Sequence, residues 1–514
     1  MQSKTVGNFI FSIVAAYYVA AHPATPRLIN TYSDIHYPLS TTNYYQLKTS
    51  LDNSNNLNLR TQLAYGVGEL AGAVPSNILT FFLLFFLTNI VGLNPSLAGS
   101  VGLVGKAWDA INDPIIGWLS DRTRSRWGRR FPWMVFGAIP LGLFFFLLWV
   151  KVPSDNQTIL FLYYSTIVLL MYTAFTSVIL PFSTLAAELT EGYDQSTKLI
   201  SFKSAFSIGG SIFSLVVAQI IFSQVENPTH RYLLLGGVCS GIIIFVVYLC
   251  VWGTFPRYMA MEKKRSQIER PASLPMLEQI KIALSNKPFL YLIGIYLFSW
   301  LSVQVTASVL QFFVINWMQL SENHFTQMAL TVQGTALTMM FLWSFLAQRV
   351  GKRIVYCLGI PLTIIGLMGL FFVQPGQVKL MYCLACLAGM GISTVYLVPW
   401  SMLPDILDLD ELNTGQRREG IFYGFVVQIE KIGVAFSVFL VGQTLDWSGF
   451  IPLKDGLSVV QPDSALWSIR IITGLIPSLL LCFGLVLVFF YPITRDRHQE
   501  IMLKLQERRS FNEQ

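Results

Sequence analysis

Residues 106–114 read Lys106-Ala107-Trp108-Asp109-Ala110-Ile111-Asn112-Asp113-Pro114, inside an apolar stretch running from about residue 98 to 119. A charge at the centre of a lipid-spanning helix is disfavoured by about 2.5–3.5 kcal/mol on insertion scales, so ionisable groups kept there need a reason. Asp109 and Asp113 are four residues apart with Asn112 between them, which puts three oxygen-bearing side chains on one helical face. Two carboxylates and an amide oxygen suit a small monovalent cation such as Na⁺; alternatively, one carboxylate carries a proton. Lys106, three residues before Asp109, can neutralise the pair when no ion is bound. An internal salt bridge that only joins helices is the competing reading.

Working outward, the whole chain has the composition of a membrane protein. Of its 514 residues 53% are hydrophobic and only 12% charged, whereas a soluble domain carries roughly 25% charged residues. In lipid every backbone group must be paired internally, so long apolar runs are helices or the strands of a closed barrel. The runs here are about 20 residues long and lack strand-like alternation, which fits helices. About twelve spans are expected, near 63–92, 98–119, 131–150, 158–181, 201–223, 231–254, 287–316, 325–348, 354–373, 378–403, 419–446 and 468–493.

The predicted organisation is an N-terminal tail (1–60), a six-helix half (61–256), a cytoplasmic middle loop (257–286), a second six-helix half (287–495) and a cytoplasmic tail (496–514). Phe9–Ala21 is apolar but too short to span, and no convincing secretory cleavage site follows it. Arg and Lys collect at Asp121–Arg130, in the middle loop around Lys263, Lys264, Arg265, Glu269 and Arg270, at Arg349/Lys352/Arg353, at Arg417/Arg418 and after Arg495. The intervening loops are poor in them, which predicts both ends of the bundle on the cytoplasmic side of a plasma or bacterial inner membrane. The formal charge of +7 is therefore loop charge and gives no sign of nucleic-acid binding. The six cysteines show no metal-ligand spacing.

An internal echo relates the halves. The second span ends Gly117-Trp118-Leu119-Ser120-Asp121-Arg122 before Gly128-Arg129-Arg130, and the eighth ends Phe345-Leu346-Ala347-Gln348-Arg349 before Gly351-Lys352-Arg353. A duplicated six-helix unit is the plan of alternating-access carriers, with substrate held near the midplane. Further polar groups lie within the spans. Thr176 can complete an ion's shell, although helix hydroxyls also bond back to their own backbone. Pro181 is expected to loosen the fourth span. Lys431 points to a central cavity, with Glu69 as a remote partner or a helix-packing group. Trp300, Gln304, Tyr396 and Trp400 can form an aromatic and amide platform of the kind that holds sugars, though Trp and Tyr are also ordinary membrane-interface residues. Asp405, Asp408, Asp410 and Glu411, before Arg417/Arg418, either latch the halves together or form a solvated loop. No phosphate-binding loop, zinc spacing or nucleophile elbow is present, so no enzyme or cofactor is expected.

Trp108-Asp109-Ala110-Ile111-Asn112-Asp113-Pro114, with Tyr65-Gly66-Val67-Gly68 before it and Arg124-Ser125-Arg126-Trp127-Gly128-Arg129 after it, resembles the glycoside–pentoside–hexuronide cation symporters. These are a branch of the major facilitator superfamily typified by bacterial melibiose permease, and the resemblance covers roughly 62–495. It implies a major facilitator fold and cation-coupled symport, with Asp109, Asn112, Asp113 and Thr176 as the Na⁺, H⁺ or Li⁺ site. By the same resemblance Lys106 is the basic residue one turn earlier, Lys431 the lysine near both sugar and cation, and Lys203 the basic residue of the fifth span.

Two positions depart from the pattern. The permease's sugar-binding acids fall at Ala73 and Ile179 here. The same signature occurs in the sodium-dependent lysophospholipid carriers of animals, so a lysolipid or other amphiphile stands as the alternative to a sugar or glycoside. The expected substrate contacts are Glu69, Lys203, Trp300, Gln304, Tyr396 and Lys431; the expected coupling or gating residues are Lys106, Arg126, Arg129, Asp405 and Arg418. The expected partners are the solute and membrane lipid, with a monomer sufficient.

Overall fold

The computed structural model describes residues 58–190, 193–265, 276–415, 418–452 and 460–512. Most of the expected N-terminal tail, Glu269, Arg270, Arg417 and the side chains of Lys263, Lys264 and Arg265 lie outside the described residues. The described chain is all helix. The first, α1, runs through Leu59–Gly68 and Leu70–Ile78 and ends in wider π-helical turns at Leu79–Leu83 and Phe86–Ile90. Then come α2 (Pro95–Arg122), α3 (Phe131–Leu148), α4 (Gln157–Leu189), α5 (Tyr193–Gln224), α6 (Pro228–Arg265) and the short α7 (Met276–Ser285). The second set is α8 (Lys287–Trp317), α9 (Glu322–Val350), α10 (Lys352–Phe372), α11 (Val378–Thr414), α12 (Glu419–Trp447), α13 (Asp463–Phe490) and α14 (Arg495–Asn512).

Among the described residues, eleven helices are both long and apolar enough to cross a membrane. The twelfth is α2. At 28 residues it is long enough, about 42 Å at 1.5 Å per residue, but Lys106, Asp109, Asn112 and Asp113 lower its mean hydropathy. Large apolar side chains such as Phe136, Phe245, Trp252 and Phe489 are exposed around the bundle, as expected of a surface that meets lipid. The protein is an integral membrane protein.

Several boundaries differ from the sequence reading. The tenth span continues through the acidic stretch: Leu403, Ile406, Leu407 and Asp410 are buried at helical spacing, and α11 stops only where Gly415 adopts φ +73°. The acidic residues are therefore helical, not a loop. The described residues of the middle loop are largely helix: Tyr258 and Met261 remain buried, Tyr258 packs on Phe131 at 4.8 Å, and α7 fills Met276–Ser285. The C-terminal tail is the helix α14, which buries Ile501 and Leu505 and packs on α11. α4 runs on through Pro181, the proline expected to loosen it.

The helices pack as two six-helix sets. Within the first, α3 packs on α4 and α6, α2 on α4, and α1 on α5 and α6; within the second, α11 packs on α9 and α10, and α8 on α12 and α13. The sets meet mainly along α2 with α12, α5 with α9, and the π-helical part of α1 with α8. The tightest approach is between α2 and α12. A Cβ on Gly442 would lie 2.5 Å from the Pro95 carbonyl oxygen and 2.9 Å from Gly99 Cα, so backbones touch where any side chain would hold them apart. On the same side of the bundle, opposite the basic loops, Phe82 meets Phe325 (5.2 Å) and Phe85 meets Phe312 (5.1 Å). Arg231 Nη1 of α6 reaches Glu322 Oε2 of α9 at 2.8 Å there.

Candidate functional site

The spacing of α2 does what its sequence dictates. Asp109 is fully buried and Asn112 nearly so, facing α4. α4 can come this close because residue 105 is glycine: a Cβ there would lie 2.1 Å from Val168 Cγ1 and 2.9 Å from the Tyr172 ring. The Thr176 hydroxyl lies 3.0 Å from Asp109 Oδ1 and 3.2 Å from Asp113 Oδ1. The Trp108 indole donates to Thr173 Oγ1 at 2.9 Å. Asn112 turns its amide nitrogen to the Tyr172 carbonyl at 3.5 Å.

α12 supplies the remaining charge. Lys431 Nζ lies 2.5 Å from Asp113 Oδ2 and 3.0 Å from Asp109 Oδ2. Lys106 Nζ is 3.6 Å from Asp109 Oδ2 and 4.6 Å from the centre of the Tyr172 ring. Asp109 Oδ2 thus has two ion-pair neighbours and no well-directed hydrogen bond. One ammonium occupies the position between the two carboxylates and beside the Thr176 hydroxyl. Charge at this depth requires pairing, and the pairing joins the two halves.

Glu69 and Lys203 find each other. Lys203 Nζ of α5 is 3.6 Å from Glu69 Oε2 of α1. Glu69 is therefore the partner of Lys203 rather than of Lys431, because α1 and α5 pack side by side within the first half.

The aromatic residues of α8, α11 and α12 form a connected group. Tyr296 stacks on Trp300 at 5.8 Å and meets Trp400 edge-on at 6.0 Å. Trp300 meets Tyr396 at 5.9 Å, and Trp400 stacks on Tyr423 at 6.2 Å. The Tyr296 hydroxyl donates to Glu430 Oε2 at 3.2 Å. Trp300 Nε1 and Gln304 Oε1 are buried with no hydrogen-bond partner among the described residues. Sequence reasoning singles out Trp300, Gln304 and Tyr396 but gives Tyr296 and Glu430 no place in the site. A signal for them exists: Tyr296/Trp300 and Tyr396/Trp400 are four apart, and Tyr423/Glu430 are seven apart, so each pair shares a helical face.

The basic-loop side shows what the sequence echo builds. Arg130, the residue before α3, lies 2.7 Å from Asp121 and 3.3 Å from Glu188 near the end of α4. Lys352, which opens α10, lies 2.7 Å from Asp405 toward the end of α11. Each half thus pins the start of its third span to the end of its fourth. Arg129 also bonds Glu188. Burial alone would pull its guanidinium down, but the bond to Glu188 and the charge of Asp121 hold it above the ordinary arginine value.

Arg418 lies 2.5 Å from Asp410, and His498 of α14 lies 3.4 Å from Asp405 and 3.1 Å from Asp408. Asp405 pairs with Lys352 and His498, and Arg418 with Asp410, all within the second half, so these contacts form neither a latch between halves nor a solvated loop. The acidic run stays helical, and these ion pairs of Asp405, Asp408 and Asp410 are to residues of their own half. Arg126 lies over the Trp127 ring at 5.6 Å.

Comparison with known proteins agrees with this architecture. Residues 64–495 match the family described as MFS/sugar transport protein. An uncharacterized symporter of Synechocystis is 44% identical, the match covering 89% of this chain and 98% of that protein. The sodium-dependent lysophosphatidylcholine symporter 1 of Mus musculus is 23% identical over 90% of each chain. Among solved structures, the nucleoside transporter NupG superposes with a TM-score of 0.57 at 13% identity, covering 85% of this chain and 98% of that one; that likeness concerns the fold alone. The chain belongs to the MFS/sugar transport protein family. It is a secondary-active symporter of a small solute, a transporter and not an enzyme.

Proposed function

We propose that this protein is a cation-coupled symporter, with Na⁺ favoured over H⁺, whose solute is an amphiphile of the lysophospholipid kind. The observation that carries the coupling is the position of Lys431. Its ammonium, on the second half, sits between Asp109 and Asp113 of the first. A Na⁺ ion taken up by the two carboxylates, Thr176 and Asn112 competes with Lys431 for the same oxygens. Ion binding then releases α12 from α2 and biases the bundle toward a different arrangement of its halves. A ligand moves such an equilibrium only by binding one arrangement better than the other, and competition for shared carboxylates supplies that difference.

With the basic loops cytoplasmic, the contacts at Gly99–Gly442, Arg231–Glu322 and Phe82–Phe325 close the outer side and leave the bundle inward-facing. The organisation into halves at 61–256 and 287–495 and action as a monomer belong to the same reading. So does membership of the branch of glycoside–pentoside–hexuronide cation symporters, carried by the WDAINDP stretch.

Two considerations support the amphiphile. Relatives that span nine-tenths of the chain are sodium-dependent lysophosphatidylcholine symporters. Moreover, Ala73 and Ile179 stand where a sugar carrier of this branch has acids; Ala73 packs toward Gly210 and Ile179 toward Gly72, so apolar contacts between helices replace those acids. The aromatic group of α8, α11 and α12 and the family's own description keep a sugar as the second reading.

Uptake into proteoliposomes tests both, with labelled glycosides and lysolipids offered with and without an imposed Na⁺ or H⁺ gradient. Na⁺-driven lysolipid uptake is the expected result. Gradient-driven glycoside uptake without lysolipid uptake would return the protein to the sugar reading. Gradient-independent uptake would remove the coupling role from Asp109 and Asp113.

A further inference from the structure

The charges at the centre of the bundle do not balance, and the surplus has a location. Four carboxylates (Glu69, Asp109, Asp113 and Glu430) stand among three lysines (Lys106, Lys203 and Lys431). Lys203 is taken by Glu69, and Lys431 and Lys106 by the aspartates. Glu430 feels Lys106 and Lys431 at a distance, but among the described residues it has no ion pair within 4 Å; its partner is the Tyr296 hydroxyl.

The surroundings of Glu430 are aromatic. Tyr296, Trp300, Tyr396, Trp400 and Tyr423 form one connected group across α8, α11 and α12, and all but Tyr296 remain only partly buried. Elsewhere in this protein lysine or arginine lies over aromatic rings, as Lys106 does over Tyr172 and Arg470 over Trp317. Among the described residues none lies over Trp300, Tyr396 or Trp400. The α8 edge of the group also carries two buried polar atoms without a partner among the described residues, Trp300 Nε1 and Gln304 Oε1, and such atoms normally have one.

We infer that this aromatic group with Glu430 is a binding site for a quaternary ammonium group brought by the solute. A bare Na⁺ needs several oxygens at short range, and here one carboxylate and a tyrosine hydroxyl stand among rings. A methylated ammonium has no N–H to satisfy and a large, weakly hydrated surface. It is held by the negative faces of several aromatic rings, and an adjacent carboxylate supplies the counter-charge. Trp300 Nε1 is then a donor for an oxygen next to that ammonium, such as a phosphate or ester oxygen.

The inference deepens the amphiphile reading and rests on it for the rest of the solute, because the ammonium alone could come from a choline-type lysolipid headgroup or from a free small betaine.

The test uses the purified full chain in nanodiscs, titrated with tetramethylammonium and read by intrinsic tryptophan fluorescence, with ammonium as control. Saturable binding of tetramethylammonium over ammonium is expected. Glu430→Gln and Trp400→Leu should each weaken it by about tenfold, in the range of desolvated cation–π and charge contacts, while Glu430→Asp keeps it. Thermal unfolding with and without Na⁺ checks that each variant is folded with a responsive ion site. Absence of tetramethylammonium binding to the wild type, or unchanged binding by folded Glu430→Gln, overturns the inference.

Uptake assays separate it from the reading beneath. Preference for choline-headgroup over ethanolamine-headgroup lysolipid supports both. Equal uptake of the two overturns the site and leaves the amphiphile reading standing. Uptake of free choline or betaine with no lysolipid keeps the site and overturns the amphiphile.

Discussion

Arg231 and Glu322 belong to different halves of the protein and meet at 2.8 Å, both largely buried, on the side opposite the basic loops. Around them Gln311 donates to the Tyr232 hydroxyl at 2.7 Å, Thr326 bonds Gln219, and Phe82 packs on Tyr232 and Phe325. Leaving one member of such a pair alone costs about 3–5 kcal/mol, most of it the burial of an uncompensated charge.

Arg231→Glu should therefore weaken closure on this side, and the exchange Arg231→Glu/Glu322→Arg should restore it. Maleimide labelling of a cysteine introduced at Phe312 reads the change. Increased labelling in the single variant and wild-type labelling in the double variant are expected. Unchanged labelling in the folded single variant would show that the pair does not hold the halves together.

Gly442 gives a steric version of the same experiment. Gly442→Val places a side chain where a Cβ would stand only 2.5 Å from the Pro95 oxygen, and overpacking of this kind costs about 1–3 kcal/mol. The variant should favour separation of α2 from α12, raise labelling at the same cysteine and lower uptake without abolishing ion binding.

The ion site predicts a specific response to Lys431→Met. Without the ammonium, Asp109 and Asp113 are left close together in a buried setting, which destabilises the protein by about 3–5 kcal/mol. Added Na⁺ should recover more of the melting temperature in this variant than in wild type, because an ion stabilises whatever state it binds, by RT ln(1 + [L]/Kd). Asp113→Ala should lose both the Na⁺ response and accumulation of solute against a gradient. Normal accumulation by Asp113→Ala would sink the coupling role.

The paired pins on the basic-loop side should behave alike. Lys352→Ala leaves Asp405 with His498 alone, and Arg130→Ala leaves Glu188 with Arg129 alone. Each should lower thermal stability by a similar amount, on the order of 2–3 kcal/mol for one member of a partly compensated buried pair, with the Na⁺ response retained. Differential scanning fluorimetry with and without Na⁺ checks both parts.

Much of this architecture is legible in the chain itself, because it rests on local periodicity. The spans follow from apolar length, and the α2 cluster follows from residues three and four apart on one helix. Contacts between distant helices are another matter. Composition and periodicity around Lys431 do not announce that it lies against Asp113, 318 positions away; only the family resemblance places it near the cation site. Nor does anything near Asp405 announce Lys352 and His498. The C-terminal helix reads as a tail because Ile501 and Leu505, the residues that dock it, are isolated among charges. Glu430 is legible as a polar residue of its span, and as no partner of Lys431, because neighbouring residues on a helix point apart; that it meets Tyr296 of α8 is a contact between distant helices that the sequence does not carry.

The separation of Asp113 from Lys431 also governs how the protein comes to exist. α2 is the span least able to enter a bilayer by itself, yet ribosomes finish it more than 300 residues before the lysine that crosses to it. Until α12 emerges, its aspartates must rely on Lys106 and on Thr176 of α4. The first half is thus made before its acid cluster has its long-range counter-charge, which α12 then supplies. A chain cut short before α12 would leave these acids without their long-range counter-ion, as unpaired polarity at the bilayer's centre.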